Sequence, residues 1–344
     1  MKLSLIFFTQ QGGLLAGLIA QGLAARGHAC DLSGPERFAP LVGAAAYDSL
    51  ENWTRDRFRA SDGLIFISAC GIAVRAVAPW VRDKLTDPAV VSVDEKGTFA
   101  VPLLSGHVGG ANDLARAVAE LTGGTAVVST ATDVNRRFAV DQWAVRQGMV
   151  FDDREAARQI SAALLEGRQV GAASDYPAEG ALPEGVTPDV WDLGFYVTSR
   201  TGQEDPFRRT LRLYPRVLHL GVGCRKGAPL EAVCAAVDQV LADHGLARLS
   251  VADVASIDLK REEAALHVLS ELNGWPLRFY TAEELRQVEG AFTPSDFVAS
   301  VTGVDNVCER SAVLGSGGTL FVKKRAGNGV TIAVSAETWE VDFG

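Results

Sequence analysis

The side chains best suited to chemistry in this sequence sit among glycines. Residues 104–113 read Leu-Ser-Gly-His-Val-Gly-Gly-Ala-Asn-Asp, with three glycines in five positions just before a helical pattern. So much backbone freedom is costly to fold unless the main chain must come close to something. Amide donors from Ser105, Gly106, Gly109 and Gly110, with a helix dipole behind them, suit a carboxylate or a developing oxyanion. His107, the histidine of this glycine-rich loop, is the candidate for general acid–base work. The bland alternative has His107 bonding across the loop while Asn112 or Asp113 caps the helix.

Three further segments share this placement between a strand pattern and a helix pattern. In Ser68–Arg75, Ser68 and Gly71 would turn the backbone, and Arg75 would clamp a carboxylate. The same residues also make an ordinary tight turn with a capping serine and a surface arginine. In Ser129–Asn135 the polar groups of Ser129, Thr130, Thr132 and Asp133 line a pocket or serve as turn and cap residues. The fourth segment, Gly221–Gly227, has the spacing G-x-G-x-x-x-G and carries Gly221, Gly223, Cys224, Arg225 and Lys226. That spacing departs from the dinucleotide fingerprint, and no P-loop pattern occurs, so an anion-binding loop is the expectation. Later in the chain, Glu309 and Arg310 are either an acid with an anion clamp or a solvated ion pair. Lys323-Lys324-Arg325 reads as a charged hairpin tip that keeps a sheet edge soluble.

The elements around these segments alternate between short β-rich runs and longer helical patterns. The expected fold is α/β: two open α/β sheet domains joined by a smaller middle segment. The boundaries fall at 1–150 for an amino-terminal α/β domain, 151–216 for a middle domain or linker, and 217–344 for a carboxy-terminal α/β domain. Within the first, Val90–Val93 and Thr98–Leu103 are strands about a Glu95-Lys96-Gly97 turn. Within the last, Gly221–Gly227 is a loop, and Gly317–Val334 holds two strands about an Asn328-Gly329 turn. All four glycine-rich segments are then expected at the carboxyl edge of parallel strands, where open α/β sheets bind ligands.

Composition narrows the function further. The 344 residues carry 33 Lys and Arg against 42 Asp and Glu, a net charge of −9. No segment is strongly basic, which argues against a nucleic-acid footprint. The apolar runs are too short to span a bilayer, and no cleavable leader pattern follows Met1, so a cytoplasmic protein without membrane attachment is expected. Cysteines at 30, 70, 224, 234 and 308 form neither a disulfide framework nor a C-x-x-C pair. His28, His107, His219, His244 and His267 show no i, i+4 pairing, so a protein-bound metal is not expected.

In order along the chain, GLIFISACGIAVRAVAP (63–79), VPLLSGHVGGANDLA (101–115), STATDVN (129–135), GVGCRKG (221–227) and TGVDNVCERSAV (302–313) resemble the cobalt-precorrin-5A hydrolases of anaerobic cobalamin biosynthesis. The resemblance implies opening of the δ-lactone built on the ring A acetate of a cobalt corrinoid, with release of acetaldehyde. It implies no cofactor, because the cobalt belongs to the substrate. The partners would be that corrinoid and, as further expectations, a second copy of the chain or neighbouring enzymes of the pathway. His107 for proton transfer, Glu309 as a second acid–base group and Arg75, Arg225 and Lys226 for peripheral carboxylates follow from residue chemistry alone. Two rivals stand beside this reading: a non-catalytic corrinoid carrier, and a nucleotide-dependent oxidoreductase suggested by Gly221-Val222-Gly223.

Overall fold

A computed structural model describes residues 1–83, 86–106, 109–130 and 137–344. The chain forms two compact units, 1–142 and 143–344.

In the first unit the strands are β1 (Lys2–Phe7), β2 (Ala29–Gly34), β3 (Ala45–Ala46), β4 (Gly63–Ile67), β5 (Ala89–Val93), β6 (Phe99–Leu104) and β7 (Thr125–Ala126), in the sheet order β3-β2-β1-β4-β5-β6-β7. The strands β1, β4 and β5 are buried along nearly their whole length, as expected of a sheet covered on both faces. Helices α1 (Gln10–Ala25) and α4 (Ala111–Thr122) cover one face through Ile19, Leu23, Leu114 and Val118. Helices α2 (Leu50–Ala60) and α3 (Cys70–Val77) cover the other through Trp53, Phe58, Ala73 and Val77. The chain winds outward from β1 and returns to β4, so the topological switch point lies between these two strands.

One reversal decides where the motifs fall. The strands β1, β2, β3, β4 and β5 are parallel, but β6 runs antiparallel to β5, with Val90 opposite Leu104. The end of β6 therefore lies at the amino edge of the parallel strands. Because β7 runs parallel to β6, Ser129 and Thr130 follow it at that same edge, and the expectation that all four glycine-rich segments share the carboxyl edge holds neither for them nor for the segment at 104–113. The β5–β6 turn places that segment opposite the Ser68 loop.

The second unit opens within α5 (Val140–Arg146) and contains two five-stranded sheets. The first, ordered β11-β9-β12-β13-β8, is built from β8 (Met149–Val150), β9 (Val170–Ser174), β11 (Val186–Thr187), β12 (Leu193–Val197) and β13 (Arg209–Pro215). Helix α6 (Arg154–Leu165) contributes Ile160 and Leu164 to the buried set that includes Phe195 and Leu211. The short β10 (Ala178–Glu179) pairs with β19 (Val341–Asp342), and Trp143 stacks on Phe343 at 5.0 Å.

The other sheet, ordered β16-β15-β14-β18-β17, uses β14 (Leu218–Cys224), β15 (Val251–Ile257), β16 (Leu277–Tyr280), β17 (Thr319–Gly327) and β18 (Val330–Ala336). Helices α7 (Leu230–Asp243) and α8 (Ala264–Asn273) bury Val233, Val237, Leu266 and Leu269 against one face. Along the chain follow α9 (Ala282–Gln287), α10 (Asp296–Thr302) and α11 (Cys308–Ser316). Helix α11 packs on the other face. A Cβ at Gly221 would come within 1.7 Å of the Cys308 carbonyl oxygen, so this glycine lets the helix approach the sheet. The β17–β18 turn is Asn328-Gly329 with φ of 51° and 76°, the two left-handed residues of a tight hairpin.

Candidate functional site

In the first unit the predicted residues divide between the two sheet edges. Ser68 follows β4 at the carboxyl edge and stays close to the sheet: its N–H donates to Val93 O, and its carbonyl accepts from Ser92 Oγ at 2.9 Å. It does not cap α3, whose N-cap is Ala69. Gly71 is exposed with open space where a Cβ would sit, and Arg75 lies exposed in the last turn of α3, far along from the turn it was expected to serve. Beside Ser68 a cavity of about 380 Å³ is lined by Cys70, Asp94, Phe99 and Val127. At the switch point, Thr9 caps α1 by accepting from Gly12 N and donates to Glu95.

At the amino edge, the loop 104–113 uses its glycines for its own closure. A Cβ at Gly106 would meet Asn112 Oδ1 at 2.8 Å, and one at Gly109 would meet Ser105 Cβ at 2.4 Å; Gly110 has a φ of 81°. Ser105 itself adopts a φ of 54°, held by its hydroxyl donating to Asp87 O at 2.9 Å. The first amides of α4 are already used: Ala111 N donates to Ser105 O and Asn112 N to Gly106 O. Asn112 is buried and donates to Thr130 Oγ1 at 2.8 Å, which brings the second and third segments together. Asp113 forms an exposed pair with Arg116, and Ser129 is exposed. His107, Thr132 and Asp133 lie outside the described residues.

The second unit holds a cavity of about 760 Å³ at the carboxyl edge of β14 and β15, closed by the β17–β18 hairpin and α10. That is an ordinary size and position for a ligand site in an α/β sheet. The loop expected over 221–227 begins only after Cys224. Gly221 and Gly223 are strand residues, paired with Ala333 and Thr331, and their lack of a Cβ makes room for α11 and for Thr331 Oγ1. This removes the dinucleotide-like reading of Gly221-Val222-Gly223. Cys224, Arg225 and Lys226 do line the cavity, together with Lys260 and Lys324. Arg225 is pinned to the hairpin through its N–H donating to Gly329 O at 2.9 Å. Among the described lining residues there are four cations and no Asp, Glu or His. Burial pushes the Cys308 thiol at the cavity wall up to about 11.

Glu309 does not face this cavity as an acid. It is fully buried, and each carboxylate oxygen accepts two hydrogen bonds. Oε1 takes Thr293 Oγ1 at 2.8 Å and Lys324 N at 2.7 Å; Oε2 takes Thr293 N at 2.6 Å and Asn306 Nδ2 at 2.9 Å. Asn306 Oδ1 in turn accepts from Glu309 N at 2.8 Å in the first turn of α11. The expected second acid–base group is a structural anchor between α11, β17 and the segment before α10. Arg310 is likewise tied down, to Asp305 Oδ1 and to the carbonyls of Leu285 and Val288.

Several residues escaped the sequence reading. Lys260, named nowhere in that reading, follows the end of β15; Lys324, expected at a hairpin tip only to keep a sheet edge soluble, lies within β17 and lines the cavity. Phe297 and Val301 of α10 line the cavity from the other side. A buried dyad also appears: His219 Nδ1 lies 2.9 Å from Asp253 Oδ1, and Arg278 Nε lies 2.8 Å from Asp253 Oδ2. His219 and Asp253 each interrupt a β-rich run, and β14–β15 pairing sets them side by side. Among the described residues, no group of three or more His, Cys, Asp or Glu is placed to hold a metal ion. No described helix is long and apolar enough to cross a membrane.

Residues 52–133 match the family Cobalamin synthesis G N-terminal, 138–215 the Cobalamin biosynthesis central region, and 218–335 the Cobalamin synthesis G C-terminus. The cobalt-precorrin-5A hydrolase of Salmonella typhimurium is 32% identical over 97% of both chains. That of Priestia megaterium is 33% identical over 81% of this chain and 79% of its own. A solved structure of a cobalamin biosynthesis protein G homolog from Sulfolobus solfataricus aligns over 97% of both chains at 22% identity with a TM-score of 0.44. With three family segments in register along the chain and relatives a third identical over most of their length, this protein belongs to the cobalt-precorrin-5A hydrolase family of cobalamin biosynthesis.

Proposed function

We propose that the protein is a cobalt-precorrin-5A hydrolase that opens the ring A acetate δ-lactone and releases acetaldehyde, giving cobalt-precorrin-5B. Besides family membership, one observation supports it: the carboxyl-edge cavity of the second unit joins four cations to an apolar wall and carries no described carboxylate. A corrinoid with an apolar ring and peripheral acetate and propionate groups has the complementary character. In this reading Arg225, Lys226, Lys260 and Lys324 pair with those carboxylates and orient the substrate. Cobalt arrives with the substrate, and no other cofactor is invoked. The cytoplasm is the proposed location.

The reaction needs water to add at the lactone carbonyl, so that its oxygen ends in the new carboxylate. The released oxygen then becomes the carbonyl of acetaldehyde as its carbon separates from the macrocycle, which takes up the electron pair and a proton. Both steps need a proton carrier and a donor for the transient oxyanion. His107 is the proposed carrier, on residue type and loop position.

The carrier reading keeps a second place for a specific reason: among the described lining residues the cavity wall carries no His, Asp or Glu. Incubation of the purified protein with cobalt-precorrin-5A, without nucleotide, decides between them. Acetaldehyde with the matching loss of corrinoid mass supports the hydrolase, and His107→Ala then tests the proton carrier. Tight corrinoid binding with no acetaldehyde supports the carrier. Absence of both binding and turnover would sink the family-based reading for this chain.

A further inference from the structure

We infer that α10 is the platform for the corrin ring, with Phe297 and Val301 against its apolar face while Arg225, Lys226, Lys260 and Lys324 hold its carboxylate rim. This inference rests on the cavity being the substrate site and assigns the parts of that site.

Helix α10 is unusual for this protein because none of its residues is buried. Phe297 is 78% exposed and Val301 61% exposed, and the two stand four residues apart, hence on one helix face. Both, with Val298, line the same cavity as the four cations. A short helix that turns its largest apolar side chains outward loses the burial that normally holds a helix on a domain, so a ligand that covers them restores it.

The chemistry of that ligand follows from the other wall. Arg225, Lys226 and Lys324 form no ion pair among the described residues, and although Lys324 Nζ donates to Thr293 O at 3.4 Å, that neutral partner leaves its charge unbalanced. Lys260 lies 3.3 Å from Glu263 Oε2, and Glu263 Oε1 also accepts from Gly227 N at 2.6 Å; this carboxylate fixes the loop carrying Lys226 and leaves the cavity positive. An apolar strip beside a cationic rim selects a flat apolar body edged with carboxylates. It disfavours a plain hydrophobic helix, which would leave the cations unmatched, and a small anion, which would leave Phe297 uncovered.

The test uses the full chain and two stable probes, cobyrinic acid and its heptamethyl ester, with binding followed by the corrin absorbance. The expected result is that Phe297→Ala with Val301→Ala weakens both probes about tenfold or more. Arg225→Ala with Lys226→Ala should weaken the acid about tenfold and leave the ester within about threefold. Phe297→Tyr, which keeps an aromatic face, should stay within about threefold of the parent for both. Because the α10 side chains are exposed, these variants should unfold at the parent temperature, which separates lost contact from lost fold. If the parent binds and the α10 double variant binds equally well, the platform is overturned while the site reading stands. Failure of the parent to bind either probe overturns both.

Discussion

Replacement of Glu309 by glutamine separates an anchoring role from a catalytic one. The side chain keeps its size, but one oxygen becomes an NH2 facing groups that also donate. With the NH2 at the Oε2 position, it would oppose Thr293 N and Asn306 Nδ2. Asn306 cannot turn its amide without losing the bond from Glu309 N to its Oδ1 and its own bond to Thr293 O. With the NH2 at the Oε1 position, the Thr293 hydroxyl can rotate and accept, leaving only Lys324 N opposed. The second arrangement therefore wins, at a cost of about 1–3 kcal/mol for one unsatisfied donor plus about 1 kcal/mol for the lost charge on the remaining bonds. Glu309→Gln should lower the stability of the second unit by about 2–4 kcal/mol, and Glu309→Ala by more, since all four donors lose their acceptor. The assay is thermal and urea unfolding followed by tryptophan fluorescence, with turnover measured well below the new midpoint. Native-like turnover per folded molecule is expected for the glutamine variant. An unchanged midpoint with turnover abolished would refute the argument and return Glu309 to the chemistry.

Other consequences are as direct. Gly221→Ala sets a methyl against the Cys308 carbonyl, a backbone atom that moves only with α11, so a loss of about 3 kcal/mol or more is expected in unfolding experiments. Gly223→Ala meets the Thr331 hydroxyl, which can swing aside, and should cost clearly less; equal losses would contradict the packing reason given for Gly221. Asp253→Ala strips the carboxylate from buried His219 and from half-exposed Arg278 and should destabilise by about 1–3 kcal/mol, whereas His219→Ala leaves the Asp253–Arg278 pair and should cost less. The reverse order, read from unfolding midpoints, would show that the histidine carries the cluster. The Cys308 thiol, with its pKa raised to about 11 by burial, should resist iodoacetamide at pH 8 while exposed Cys70 reacts; mass mapping of the labelled peptides checks this. Because the folded protein holds that proton to higher pH than the unfolded chain does, stability from this group should fall as pH rises from about 9 to 11.

Local chemistry made much of this protein legible. Alternating β-rich runs and helical patterns specified an α/β protein because each element carries its own periodicity, and Asn328-Gly329 specified a hairpin because both residues tolerate left-handed backbone. Arg225 and Lys226 were expected to face an anion, and they line the cationic cavity. What the sequence left undecided were facts about direction and neighbourhood. The antiparallel course of β6 sends Ser105 and Gly106 to the edge opposite Ser68, and a strand pattern reads the same in either direction. Gly221 resembles a loop glycine until α11, more than eighty residues later in the chain, is seen to rest on it. Glu309 is an acid by residue type, and only the convergence of Thr293, Asn306 and Lys324 shows that its lone pairs are already occupied. Residue type determines which bonds a group can make; the fold decides whether those bonds are left for a substrate.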